Sequence, residues 1–181
     1  MCTSYNINIL KGNSDNTNKI LNFVKLTIYI MSYTNLLYHI IIRTKYSKET
    51  IPNKESEELY QYITGFVKNK KSKMFQINGT PNHIHILVSI HPTLSLSNFV
   101  KELKNATNYW IKKHDKFEQF ESWGKKYAAF TCKISDTGRI IKYIQNQRIH
   151  HNKTSFENEY LNILKEAKIE IDPKYFLKDD D

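Results

Sequence analysis

The chain has 181 residues, 40% hydrophobic and 25% charged, which is enough for one domain with a real core. No run of eighteen apolar residues exists and the segment Ile20–Met31 lacks a small-residue cleavage site, so the sequence calls for no membrane span and no signal peptide. Twenty-seven Lys and Arg against eighteen Asp and Glu give a net charge of +9, which favours a polyanionic partner, with nucleic acid first. The twelve tyrosines add rings on which unpaired bases stack, although enrichment in Lys, Asn, Ile and Tyr also follows from an AT-rich genome. Cys2 and Cys132 form neither a disulfide framework nor a metal-type spacing, and a reducing, cytoplasmic setting is the default.

Residues 1–30 differ from the rest: Gly12 to Asn18 is a polar run without period. We read 1–30 as an extension outside the domain and 31–170 as the domain; the alternative is a short packed helix over Ile20–Ile30. Leu36–Thr44 is apolar and β-branched, hence a strand. Lys54–Asn69 has Leu59, Tyr62, Ile63, Phe66 and Val67 at helical spacing. Lys71–Asn78 is a second strand, and Gly79 to Asn82 makes the turn into a third, read from the stretch Pro81–Ser89, which Pro92 ends.

Ser95 or Ser97 caps a helix running to about His114. Its expected buried stripe is Phe99, Leu103, Ala106 and Trp110. Lys101, Lys104 and Lys112 share the opposite face, either as a solvated face or as a nucleic-acid contact. Gly124 breaks the chain, Lys126–Ile134 is a fourth strand, and Arg139–His150 is one helix. A last helix spans Ser155 to about Lys168, with Thr154 and Glu157 as a capping box. Pro173 and the acidic end mark 171–181 as a frayed tail. The order β-α-β-β-α-β predicts an α+β, ferredoxin-like fold: a four-stranded antiparallel sheet with two helices on one face and C-terminal helices added. Its central strands are the first and third.

Side chains alternate along a strand, so His83 and His85 share one face while Ile84, Ile86, Val88 and Ile90 enter a core on the other. Two imidazoles on a rigid strand make half a divalent metal site. Taken alone they are equally two surface histidines. In the helix after Gly138, Tyr143 and Gln147 are one turn apart on one face, and His150 and His151 continue it. A Gln oxygen added to two imidazoles leaves room for water and a phosphate oxygen and suits Mg²⁺ or Mn²⁺. Tyr143 beside such an ion has the makings of a nucleophile, against the plain alternative of a half-buried helix aromatic.

Four motifs occur in order: Asn-His-Ile-His-Ile-Leu-Val on a strand, Tyr-Ala-Ala-Phe-Thr-Cys-Lys-Ile-Ser before the helix that starts at Arg139, Tyr-Ile-Gln-Asn-Gln-Arg-Ile-His-His in that helix, and Phe156-x-x-Glu159-Tyr160 after it. Together, over about Tyr33 to Leu164, they resemble the single-tyrosine transposases of small bacterial insertion sequences, within the His-hydrophobic-His endonucleases. The resemblance implies a DNA transposase that cleaves and rejoins single-stranded DNA with hairpin ends. It implies Tyr143 as nucleophile, forming a 5′-phosphotyrosine, and His83, His85 and Gln147 as ligands of Mg²⁺ or Mn²⁺. It also implies a homodimer in which the tyrosine helix can serve the partner's histidine pair. Arg148, His150 and His151 are assigned to DNA or supporting contacts. The competing readings are a non-catalytic single-stranded nucleic-acid binder on the same fold and a host-recruited, hairpin-processing relative.

Overall fold

The computed structural model describes residues 33–179; the expectations for 1–30 lie outside the described residues. Four strands, β1 (Leu37–Thr44), β2 (Lys73–Thr80), β3 (His83–Ser89) and β4 (Trp123–Thr131), form one antiparallel sheet in the order β2-β3-β1-β4. As the sequence predicts, β1 and β3 are central. Helices α1 (Ser56–Asn69) and α2 (Leu96–Ile111) lie on one face, packed on Ile40, Ile42, Ile84, Ile86 and Val88. Three further helices, α3 (Thr137–Gln145), α4 (Gln147–His151) and α5 (Phe156–Glu166), cover the face that carries the histidines.

Local chemistry explains where the boundaries fall. Ser95 caps α2, its hydroxyl accepting from the Asn98 amide at 3.3 Å. The buried stripe of α2 is rotated from the expected one to Phe99, Val100, Leu103, Thr107 and Ile111. Thr107 can be buried because both hydroxyl roles are used: it donates to Leu103 O at 2.7 Å and accepts the Trp123 indole N–H at 2.7 Å. Trp110 moves to the stripe's edge and stacks on Tyr62 of α1 with ring centroids 5.1 Å apart.

Gly124 does not break the chain but lies inside β4, where a Cβ would sit 3.1 Å from the Arg43 guanidinium. The single helix expected over Arg139–His150 is two, parted at Asn146. The Asn78 side-chain amide on β2 donates to Ile144 O at 3.0 Å and Gln145 O at 2.9 Å, satisfying carbonyls that a helix end leaves open. At α5 the cap is Ser155, accepting from the Asn158 amide, rather than a Thr154–Glu157 box.

Of the expected tail, residues up to Asp179 pack on the domain. Asp179 is buried and holds the Arg43 guanidinium through two bonds, of 2.6 and 2.9 Å. It also accepts the Tyr46 and Lys125 amides at 2.6 and 2.8 Å. Leu177 joins Ile41, Ala128 and Phe156 in the apolar cluster under α5, and Phe176 lies against Tyr160.

Candidate active site

Antiparallel register puts His39, Ile41 and Arg43 of β1 beside Leu87, His85 and His83 of β3 on the face under α3–α5. Both histidines of the pair are fully buried there, at 0% exposure, rather than on an open sheet face. The cover is apolar on two sides. Ile144 packs with Leu37 and Leu87, a burial worth about 1.5–3 kcal/mol. The Phe156 ring stacks on His83 at 4.2 Å between centroids.

Each imidazole of the pair has its Nδ1 committed. His83 Nδ1 lies 2.7 Å from Asn82 Oδ1 and 2.9 Å from Thr80 Oγ1. Because that amide oxygen only accepts, His83 carries its proton on Nδ1. His85 Nδ1 lies 2.9 Å from His39 Nε2. Both Nε2 atoms then turn inward, toward the Glu159 carboxylate: its Oε2 is 3.5 Å from His83 Nε2 and 3.6 Å from His85 Nε2. His85 Nε2 is buried without a hydrogen-bond partner among the described residues.

Burial pushes the His83 imidazole down to about 4. Burial, helped by His85, pushes His39 down to about 3. Both rings are therefore neutral near pH 7, the form that binds a cation. Burial opposes ionisation of Glu159, but the His151 hydrogen bond and the adjacent His83 and His85 imidazoles outweigh it and hold the carboxyl well below its ordinary range.

Tyr143 and Gln147 reach this cluster from the α3–α4 junction. The Tyr143 hydroxyl donates to Glu159 Oε1, and Gln147 Nε2 donates to the same oxygen at 2.8 Å. Gln147 Oε1 lies 3.4 Å from His83 Nε2. The Tyr143 ring is 5.9 Å from that of His85 between centroids. Burial and the Glu159 charge raise the phenol above its ordinary range, so it is protonated at rest. His151 Nε2 lies 2.8 Å from Glu159 Oε2, while half-buried His150 lies at 3.9 Å from Oε1.

A cavity of about 600 Å³ opens beside Tyr143, lined by His39, Cys132, Lys133, Arg139, His150 and Glu159 among others. Tyr143 is in its lining, whereas His83 and His85 are not.

The structure thus brings Tyr143, His83, His85, Gln147, His150 and His151 together within one chain. It does not bring the other expected contacts there. Lys101 on α2 and Lys112 at its C-terminal cap are exposed, across the sheet. Lys104 is tied to the carbonyls of Gly124 and Lys125 at 2.6 and 3.0 Å. Arg148 donates to Ser56 Oγ at 2.7 Å, joining α4 to the start of α1.

Sequence reasoning passed over two residues. Glu159 stood in the Phe156-x-x-Glu159-Tyr160 motif with no role attached, and His39 read as one residue of a strand. The alternation that pairs His83 with His85 also puts His39 on the same sheet face, so that signal was present.

A four-stranded antiparallel sheet carrying a buried histidine pair, with a tyrosine beside it on an added helix, makes this a ferredoxin-like α+β protein. The chain belongs to the family described as "Transposase IS200 like", whose model matches residues 32–147. It is 24% identical over 117 residues to the ISDra2 transposase TnpA of Deinococcus radiodurans, covering 62% of this chain and 84% of that protein. It is 24% identical over 118 residues to the transposase for insertion sequence element IS200 of Salmonella typhimurium, covering 62% of this chain and 77% of that one. Its fold is shared with a REP-associated tyrosine transposase solved bound to a REP hairpin, with TM-score 0.52, 12% identity, and coverage of 70% and 74% of the two chains.

Proposed function

We propose that this protein cleaves and rejoins single-stranded DNA through a covalent 5′-phosphotyrosine on Tyr143, with a divalent cation, Mg²⁺ or Mn²⁺, held by His83 and His85. The observation that carries this reading is the convergence of two inward-facing, buried Nε2 atoms and the Tyr143 hydroxyl on one carboxylate. Gln147 Oε1, beside His83 Nε2, is a further candidate ligand. The cation, when bound, supplies positive charge that polarises the phosphodiester and favours ionisation of the phenol.

The rest is done by the chain's own residues. Glu159 Oε1 fixes the phenolic oxygen by accepting its proton in a hydrogen bond, which orients Tyr143 for attack. The Tyr143 oxygen attacks phosphorus and sheds its phenolic proton to solvent, and the bond from phosphorus to the 3′ oxygen breaks. The 3′ oxygen leaves as a hydroxyl after taking up a proton, and the 5′ phosphate stays on the tyrosine. Attack by another 3′-hydroxyl reverses the step and reseals the strand without ATP. The cavity beside Tyr143, with Lys133 and Arg139 in its lining, is suited to admit the DNA backbone.

The substrate we infer is a single strand carrying a hairpin, by analogy with the hairpin bound in the structurally similar transposase. We also propose that the reaction runs within one chain, because α3 delivers Tyr143 to the histidines of its own sheet. The test is incubation with hairpin-bearing oligonucleotides and Mg²⁺ or Mn²⁺. A protein–DNA adduct forms with the wild type and not with Tyr143→Phe; an adduct in that variant overturns Tyr143 as nucleophile.

A further inference from the structure

His83, His85 and Gln147 are all neutral donors, so in that set any formal charge opposing the cation comes from the DNA. Glu159 changes that count. It sits on α5, beyond the residues that match the family model, and is 3% exposed. Its Oε2 stands 3.5 and 3.6 Å from the two Nε2 atoms, and one ligand atom from each of the three residues falls within a 4.8 Å span.

Those separations discriminate between two explanations. They are long for hydrogen bonds between a ring N–H and a carboxylate, which run about 2.7–2.9 Å when charge-assisted. They come closer to the spacing of two ligands on one ion, slightly wider than it: bonds of about 2.1 Å place ligand atoms about 3.0 Å apart at a right angle and about 3.4 Å apart at a tetrahedral angle. With its proton on Nδ1, His83 presents a ring lone pair to the carboxylate. His85 Nε2, buried with no hydrogen-bond partner among the described residues, faces the same oxygen. A carboxylate against ring lone pairs is unfavourable unless a cation lies among them.

We propose that Glu159 Oε2 is a ligand of the same divalent cation as His83 and His85, so that the protein holds the ion before DNA arrives. This rests on the reading of the histidine pair given above and adds a charged ligand to it. A carboxylate oxygen raises affinity through its charge and turns the set toward hard, oxygen-preferring ions such as Mg²⁺ and Mn²⁺. The other oxygen of the same carboxylate accepts from Gln147 and Tyr143, so α5 ties the ligand set to the nucleophile.

The experiment is Mn²⁺ titration of the full, EDTA-stripped chain by calorimetry and electron paramagnetic resonance, first without DNA. One Mn²⁺ per chain binds the wild type. Glu159→Gln, nearly isosteric, weakens binding at least tenfold at an unchanged circular dichroism spectrum. Glu159→Asp keeps the charge but retracts the carboxylate, and also weakens it; this variant decides the matter should Glu159→Gln not fold. Wild-type affinity in both variants overturns the proposal. So does a wild type that binds Mn²⁺ only once a hairpin oligonucleotide is added, which leaves the histidine reading standing. Absence of Mn²⁺ binding with and without the oligonucleotide sinks both.

Discussion

His39 offers the sharpest separation between a structural and a functional role in this site. For His85 to present a lone pair at Nε2, its proton must sit on Nδ1, and the group that receives it is His39 Nε2, 2.9 Å away. Replacing His39 by Phe keeps a ring against Phe130 and Tyr143, its present neighbours at 6.3 and 6.2 Å between centroids. The substitution removes only the acceptor. His85 is then free to exchange tautomers, and losing such an orienting partner typically costs about 10–100-fold in metal affinity. Mn²⁺ titration at pH 7.5 measures it directly, with thermal unfolding of the metal-free protein as the control. His39→Gln, which restores an acceptor oxygen, recovers part of the affinity. If His39→Phe binds Mn²⁺ within twofold of wild type while remaining folded, the tautomer argument is wrong and His39 is merely buried.

Four other outcomes follow from the geometry. Asp179→Asn leaves the Arg43 guanidinium buried without its counter-charge, a loss of about 3–5 kcal/mol that lowers the melting temperature by about 10 °C; a change under 2 °C in calorimetry refutes the pairing. Gly79→Ala would put a Cβ 2.2 Å from His83 O and 2.8 Å from Ile84 Cα, so backbone must move; we expect about 1–3 kcal/mol of destabilisation by urea titration, with weaker Mn²⁺ binding because His83 shifts. The metal-free protein loses stability as pH falls: His83 and His39 ionise at about 4 and about 3 when folded but near 6.5 when unfolded, so the unfolded chain binds protons first. Their contribution is complete above about pH 7 and falls by about 2 kcal/mol apiece by pH 5, and a melting temperature flat over that range contradicts it. Mixing Tyr143→Phe with His83→Ala restores no DNA adduct if each chain uses its own tyrosine, whereas restored adduct means the tyrosine helix serves a partner.

The fold was legible because its signals are local: β-branched runs, helical stripes and a turn ending in Asn82 fix β-α-β-β-α-β without reference to distant contacts. His83 and His85 were legible for the same reason, since strand alternation alone puts them side by side. Glu159 was not, because its meeting with the pair depends on how α5 folds back after Asn152, and no period in the sequence encodes that return. The break at Asn146 was hidden for a related reason. The residue that satisfies the carbonyls at the end of α3 is Asn78, far back on β2. The lysines of α2 read as a binding face from spacing, yet the sheet stands between them and the histidines, and Lys104 is occupied by backbone carbonyls.

The clasps found here act on one structural problem. A tyrosine on a nine-residue helix has little to hold it, because a helix that short is marginal without tertiary packing. Asn78 holds its C-terminal carbonyls, Glu159 holds its hydroxyl, and Ile144 buries its inner face against Leu37 and Leu87. Glu159 is in turn fixed by α5, whose apolar cluster continues through Leu177 to within two residues of the Asp179–Arg43 pair. The segment beyond the family match therefore forms the wall that carries the acidic group and confines Tyr143 to the histidine side of the sheet. That wall leaves a cavity beside the hydroxyl, lined by Cys132, Arg139 and His150, at the C-terminal end of β4.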